Sequence, residues 1–186
     1  MAVSYTSLTA LVQNYTENTE PSFVSYIPTF IELAEQRIYN AVQIPALRKN
    51  QIGTTTVNNK YLTVPTDWLA TFALAVIDPV TAEQTYLLNK DVEYIREAFP
   101  FPAVTGKPSH YGQFDVDTMI IGPTPDASYQ VELHYYYYPE SIVTAGVSWL
   151  GTNFDSVLIY GVLREAYIYM KGDQDLAAMY EAKYLE

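Results

Sequence analysis

The chain has 186 residues, with 21 acidic and 10 basic side chains, a net charge of −11 and no cysteine. That length suits one domain, or one domain with a small insertion, able to fold without a disulfide or a metal. The missing cysteine excludes a disulfide framework, a thiolate zinc site and a cysteine nucleophile, and the ten bases, spread from Arg37 to Lys183 with only Arg48 and Lys49 adjacent, exclude tight nucleic-acid binding.

The N-terminal Met1-Ala2-Val3-Ser4-Tyr5 has neither a basic region nor an apolar run, so no secretory signal is expected. Apolar stretches such as Phe72 to Ile77 fall short of the ~20 residues of a membrane helix, and a soluble protein without a membrane partner is expected. The 18 tyrosines combine large apolar area with a polar tip, which suits interfaces and half-buried strands and equally suits sugar-binding platforms.

In chain order, Ser4 or Thr6 caps a first helix reaching residue 16, with Leu8, Leu11, Val12 and Tyr15 on one side. A second helix is predicted from Ile27 to Val42, with Phe30, Ile31, Ala34, Ile38 and Ala41 as its apolar face, Pro28 in its first turn and Pro45 past its end. The period then changes. Gln51–Val57 and Lys60–Val64 read as a hairpin closed by Asn58-Asn59. Phe72–Ile77 and Thr85–Leu88 read as strands, and Asp91 caps a short helix near 91–99 that Pro100 and Pro102 end.

Ser109–Phe114 and Thr118–Ile121 form the next hairpin, turned at Asp115-Val116-Asp117. Tyr129–Tyr137 is the longest strand, with Tyr129, Val131, Leu133, Tyr135 and Tyr137 on one face and Gln130, Glu132, His134 and Tyr136 on the other. From Asn153 the pattern is helical again, Phe154, Val157, Leu158, Gly161, Val162, Ile168 and Tyr169 forming a stripe that only Glu165 breaks. Gly172-Asp173 closes that helix, and a last one from Gln174 to Glu186 has no stop signal, as though a tail or partner continued or covered it.

The fold class expected is α+β. N- and C-terminal helices (residues 1–48 and 141–186) form a helical bundle carrying an inserted antiparallel β-rich domain (49–140).

Reactive chemistry is sparse. His110 and His134 fall on strands predicted to be adjacent, and a metal site would need Asp115, Asp117 or Glu132 as further ligands; ordinary strand histidines are the better reading. The pairs Asp115/Asp117 and Asp173/Asp175 flank turns, where aspartate serves the backbone. Gly106-Lys107-Pro108 is a turn into a strand rather than a phosphate loop, because its proline lacks an N–H. Trp68 and Trp149 are read as domain anchors. No catalytic residue, cofactor or metal site is assigned, and no enzyme is expected.

Four segments, in order, resemble a known family: Phe30-Ile31-Glu32-Leu33-Ala34-Glu35-Gln36-Arg37-Ile38; Tyr61-Leu62-Thr63-Val64-Pro65-Thr66-Asp67-Trp68-Leu69; Gly106-Lys107-Pro108 through Pro123-Thr124-Pro125 into the tyrosine strand and Pro139; and Leu158-Ile159-Tyr160-Gly161-Val162-Leu163-Arg164-Glu165-Ala166-Tyr167. Together they resemble the head-to-tail adaptors of tailed phages of the podovirus type. The resemblance implies a structural virion protein without catalytic residues. It implies a ring of copies of itself, typically dodecameric, touching portal protein on one side and a tail or nozzle protein on the other. It also implies a channel that double-stranded DNA passes without tight binding, which an acidic surface would favour, and assembly in the host cytoplasm. Such adaptors commonly carry a C-terminal extension onto the portal, whereas this sequence stops at Glu186. Tyr136, Tyr138, Tyr180 and Tyr184 are the candidate subunit or partner contacts. The competing reading is a carbohydrate- or receptor-binding virion module whose tyrosines stack on sugars; a hydrolase using Asp115 or Asp117 is a third.

Overall fold

The computed structural model describes residues 2–42, 44–170 and 174–185. Its contacts divide the chain into two compact units, one made of residues 1–47 with 138–186 and the other of 48–137. Helices and mixed sheets together make the protein α+β.

In the first unit, α1 (Tyr5–Thr16) starts at Ser4, whose hydroxyl and that of Ser7 reciprocally satisfy each other's backbone N–H groups. Helix α2 covers Pro21–Ala41, so it begins six residues before the expected Ile27. Pro21 takes the first-turn position predicted for Pro28, which instead lies inside the helix. An interior proline costs about 3 kcal/mol. The turn before it buries Phe23 and Ile27, each contributing roughly 1.5–3 kcal/mol, and this burial outweighs the proline. A single 3-10 turn, Pro45–Leu47, follows.

The return of the chain to this unit carries two short helices absent from the sequence reading, α4 (Ile142–Ala145) and α5 (Trp149–Asn153), each opened by a serine cap. Helix α6 (Asp155–Tyr169) packs against α1, α2 and α7 (Gln174–Leu185). Leu8, Val12, Ile27, Ile31, Leu158 and Val162 make the buried centre. The predicted closure at Gly172-Asp173 lies outside the described residues.

In the second unit, one sheet has the order β1-β10-β3-β4, from β1 (Arg48–Thr54), β10 (Gln130–Tyr136), β3 (Ala70–Ile77) and β4 (Gln84–Tyr86). The other has the order β2-β8-β7-β5, from β2 (Tyr61–Thr63), β8 (Thr118–Gly122), β7 (His110–Gln113) and β5 (Leu88–Asn89). The short strands β6 (Thr105–Gly106) and β9 (Thr124–Pro125) pair in parallel beside them. Leu74, Val131, Leu133 and Tyr135 from the first sheet share a core with Tyr111, Met119 and Ile121 from the second.

The hairpin expected across Asn58-Asn59 does not form. Asn58 does adopt the left-handed conformation, with φ of 60°. Yet β1 pairs with β10 over seven residues while β2 joins β8. Thr55 decides this: its N–H donates to the Tyr129 carbonyl at 2.8 Å, and its hydroxyl accepts the Tyr129 N–H at 2.9 Å. The chain is thereby tied to the end of β10 before it crosses to the second sheet.

The β7–β8 hairpin and the alternation of β10 match the expectation, with Val131, Leu133 and Tyr135 buried. A third layer, α3 (Val92–Ala98), covers the outer face of the second sheet, where Ile95 and Ile120 are buried. Asp91 stands at its N-cap but makes no side-chain cap bond. Glycine at 112 permits this layer, since a Cβ there would overlap the Lys90 carbonyl oxygen and press on Ile95.

Candidate functional site

The four candidate contact tyrosines have different fates. Tyr136, on the outer face of β10, is half-buried, edge-on to Phe72 at 5.9 Å, with the Arg48 guanidinium 5.7 Å from its ring. Tyr138 is 40% exposed and donates its hydroxyl to Asn40 Oδ1 at 2.5 Å. Tyr184 is half-buried on α7, with the Arg37 guanidinium 5.7 Å from its ring. Tyr180 corrects the expectation, because it is 7% exposed and offers no contact area. It stacks on Tyr160 at 6.3 Å and lies tilted against Tyr167 at 5.1 Å. Burial and a hydrogen bond with Tyr167 push its hydroxyl up to about 12. Its side chain fastens α7 to α6, which helical spacing alone could not reveal. Tyr136 belongs to the β unit and the other three to the helical unit.

Around Tyr138 the returning chain is pinned to α2. The ring stacks near Tyr39 at 6.3 Å, and one turn earlier Glu35 accepts the Ile142 N–H at 3.1 Å. Glu35 is 3% exposed, and burial raises its pKa, opposed by hydrogen bonds from the Ser141 side chain and the Ile142 N–H. It thus adds a second acceptor, from a different helix, to the α4 N-terminus that Ser141 caps. The sequence held one signal for this residue: a carboxylate on the buried side of α2, between Ala34 and Ile38.

Three helices meet at a charged seam. Arg164 bonds Glu165 at 2.6 Å and also Glu181 of α7. Arg37 of α2 reaches Glu181 at 3.3 Å and Glu165 at 3.6 Å. Glu165, which breaks the apolar stripe, is therefore where the stripe yields to an ion-pair network. Next to it, Gly161 lets α2 and α7 approach, since a Cβ there would lie 3.3 Å from that of Ala34 and 3.5 Å from the Tyr184 ring. An apolar groove of about 300 Å³ opens beside this seam, with Ile38, Val42, Leu150, Phe154 and Tyr184 in its walls. Trp149, expected as an anchor, is instead 40% exposed at this groove, its ring tilted against Phe154 at 5.4 Å. Trp68 does pack on the core of the β unit, its indole N–H donating to Thr71 at 3.1 Å.

The titratable groups of the β unit serve its turns and cross-strand braces. Asp115 accepts the Asp117 N–H at 3.1 Å, and Asp117 accepts the Thr118 hydroxyl at 3.0 Å, so both hold the β7–β8 turn. His110 and His134 are not on adjacent strands: the first lies in the second sheet against Tyr94 and Phe99, the other in the first sheet 3.4 Å from Glu132. Their strands separate because β10 pairs with β1 and β3 rather than with the preceding hairpin. Glu132 accepts Asn50 and Gln84 at 2.6 Å each, a brace from β1 to β4 whose hydrogen bonds, Asn50 foremost, hold its pKa below the usual range. The side chains of Asp173 and Asp175 lie outside the described residues. Among the described residues no group of three or more His, Asp or Glu could hold a metal ion, and no helix is long and apolar enough to cross a membrane.

The arrangement is that of a protein that binds through surfaces: a helical unit with an apolar groove, and a β unit with aromatic side chains on its outer face. The family model described as SU10 adaptor protein matches residues 3–186, and the chain belongs to that family. It is a phage head-to-tail adaptor, a structural component of the virion that interacts with other virion components. Its family is not a class of enzymes. Among curated proteins, nothing matches the chain.

Proposed function

We propose that this adaptor forms a closed homo-oligomeric ring, of twelve copies as the resemblance implies, beneath the portal. It binds portal protein on one side and a tail or nozzle protein on the other, and its bore carries DNA during ejection. Assembly takes place in the host cytoplasm. The observation that carries this reading is the adaptor family match across residues 3–186. The net charge of −11 supports it, since an acidic bore repels phosphates and lets DNA slide. In this reading residues 1–48 and 141–186 act as one rigid helical wedge and 49–140 as its β insertion. Tyr136, Tyr138 and Tyr184 contribute contact area.

Native mass spectrometry of the purified chain, alone and with purified portal, tests the reading. The expected result is a single closed stoichiometry on the portal. A chain that stays monomeric and never joins a portal ring overturns it. Alanine at Tyr138 is expected to weaken assembly while the monomer remains folded.

A further inference from the structure

The outer edge of β1 is built to be covered. All seven of its residues, Arg48–Thr54, are exposed, although β10 pairs with every one of them. The Thr55 N–H bonds the Tyr129 carbonyl in the same register, so alternate residues back from it face β10. Arg48, Asn50, Ile52 and Thr54 therefore turn their N–H and C=O groups outward. Soluble proteins blunt such edges with proline, bulges or projecting charges. Here β1 has no proline, and the register shift in β10 lies on its β3 side. Lys49 is turned onto Asp67 at 2.7 Å, and the Arg48 guanidinium carbon sits over the Phe72 ring, 4.3 Å from its centroid. Below the edge, between β1 and β2, runs a groove of about 150 Å³ lined by Gly53, Leu62, Val64, Val131 and Leu133.

The opposite side of the same unit has the reverse relief. Strands β4 and β5 end the two sheets there, joined through Leu87 alone. Val80, Tyr86 and Leu88 project with 90%, 61% and 60% exposure. Ile52, Glu132, Ala75 and Tyr86 form one cross-strand row, which places Ile52 and Tyr86 on the same face at opposite ends of the sheet.

We propose that the β1 edge and its groove receive the β4 edge and the 78–83 loop of a second copy of this chain, so that sheets join edge to edge. This inference rests on the ring reading and assigns the surfaces that ring would use. Two different surfaces at opposite ends of one sheet give a heterologous contact, the kind that rotation closes into a ring. Pairing of β1 with a second β1 would close two copies and leave Val80, Tyr86 and Leu88 uncovered.

The chain lacks cysteine, so introduced thiols report contacts without background. Oxidising the double variant Ile52→Cys/Tyr86→Cys is expected to give a ladder of covalent oligomers up to the ring size. The two single variants mixed give dimers only, and each alone gives none. Ile52→Pro removes one outward N–H while sparing the bonds to β10; a folded chain by circular dichroism that no longer assembles is expected. Dimers from Ile52→Cys alone, or its cross-link to portal or tail protein, would overturn the proposal by naming another occupant. Intact rings without cross-links, or normal rings from Ile52→Pro, overturn it while leaving the ring reading standing. A wild-type chain that stays monomeric with portal overturns both.

Discussion

Glu35 accepts the backbone N–H of Ile142, the first residue of α4 and 107 residues further along the chain, at 3.1 Å. The carboxylate is buried, and its pKa is raised chiefly by desolvation. The folded state therefore takes up this proton at a higher pH than the unfolded chain does. Its contribution to stability is fully present below the unfolded value and lost as pH rises through the raised value. Asp67 and Glu132, with lowered values due first to hydrogen bonds from Lys49 and Asn50, contribute in the opposite sense, losing stability as pH falls. Glu35→Gln should flatten the first part of the profile in urea titrations between about pH 4 and about pH 8. Glu35→Ala, which orphans the Ile142 N–H, should cost about 1–3 kcal/mol at every pH. An unchanged profile in Glu35→Gln would count against this account.

Tyr180 separates packing from contact. Its ring sits between Tyr160 and Tyr167, so Tyr180→Ala should cost ~3–5 kcal/mol, read from thermal or urea unfolding. Tyr180→Phe keeps the ring and loses only the Tyr167 hydrogen bond, a change of about 1 kcal/mol. Oligomer formation by Tyr180→Phe should equal that of the unmodified chain, because the residue is buried against α6.

Gly112→Ala should destabilise the β unit by about 1–3 kcal/mol, since the added methyl has to displace the Lys90 backbone or tilt α3. Hydrogen exchange should show the loss concentrated in 92–98 and the strands beneath. Equal protection there would refute the close approach.

Arg164→Ala should weaken the attachment of α7 by about 1 kcal/mol, and less at high salt, because among the described residues Glu165 and Glu181 then keep Arg37 alone between them. Limited proteolysis between α6 and α7 at two ionic strengths measures this. Rates that ignore both the substitution and the salt would remove the network from the account.

The protein should not retard duplex DNA on a gel at moderate salt, given a net charge of −11 and ten scattered bases of which only Arg48 and Lys49 adjoin. Strong retardation would mean that the bases gather on one face after all.

What the sequence determined by itself is what short-range periodicity encodes. The alternation of Val131, Leu133 and Tyr135 fixed the buried face of β10, the stripe from Val157 to Val162 fixed α6, and the start of α1 was narrowed to Ser4 or Thr6, of which Ser4 is the cap. The ordered segments from Phe30 to Tyr167 carried the family. Pairing partners were decided only in three dimensions. Asn58 signals a turn, but a turn does not say which strand follows it into which sheet, and the seven pairs between β1 and β10 join residues far apart in the chain. Burial of Tyr180 and Glu35, exposure of Trp149 and the place of Pro28 inside α2 were settled the same way. Each depends on what a second element brings to that side chain, and packing energy summed over many distant contacts outweighs the local preference of any one residue.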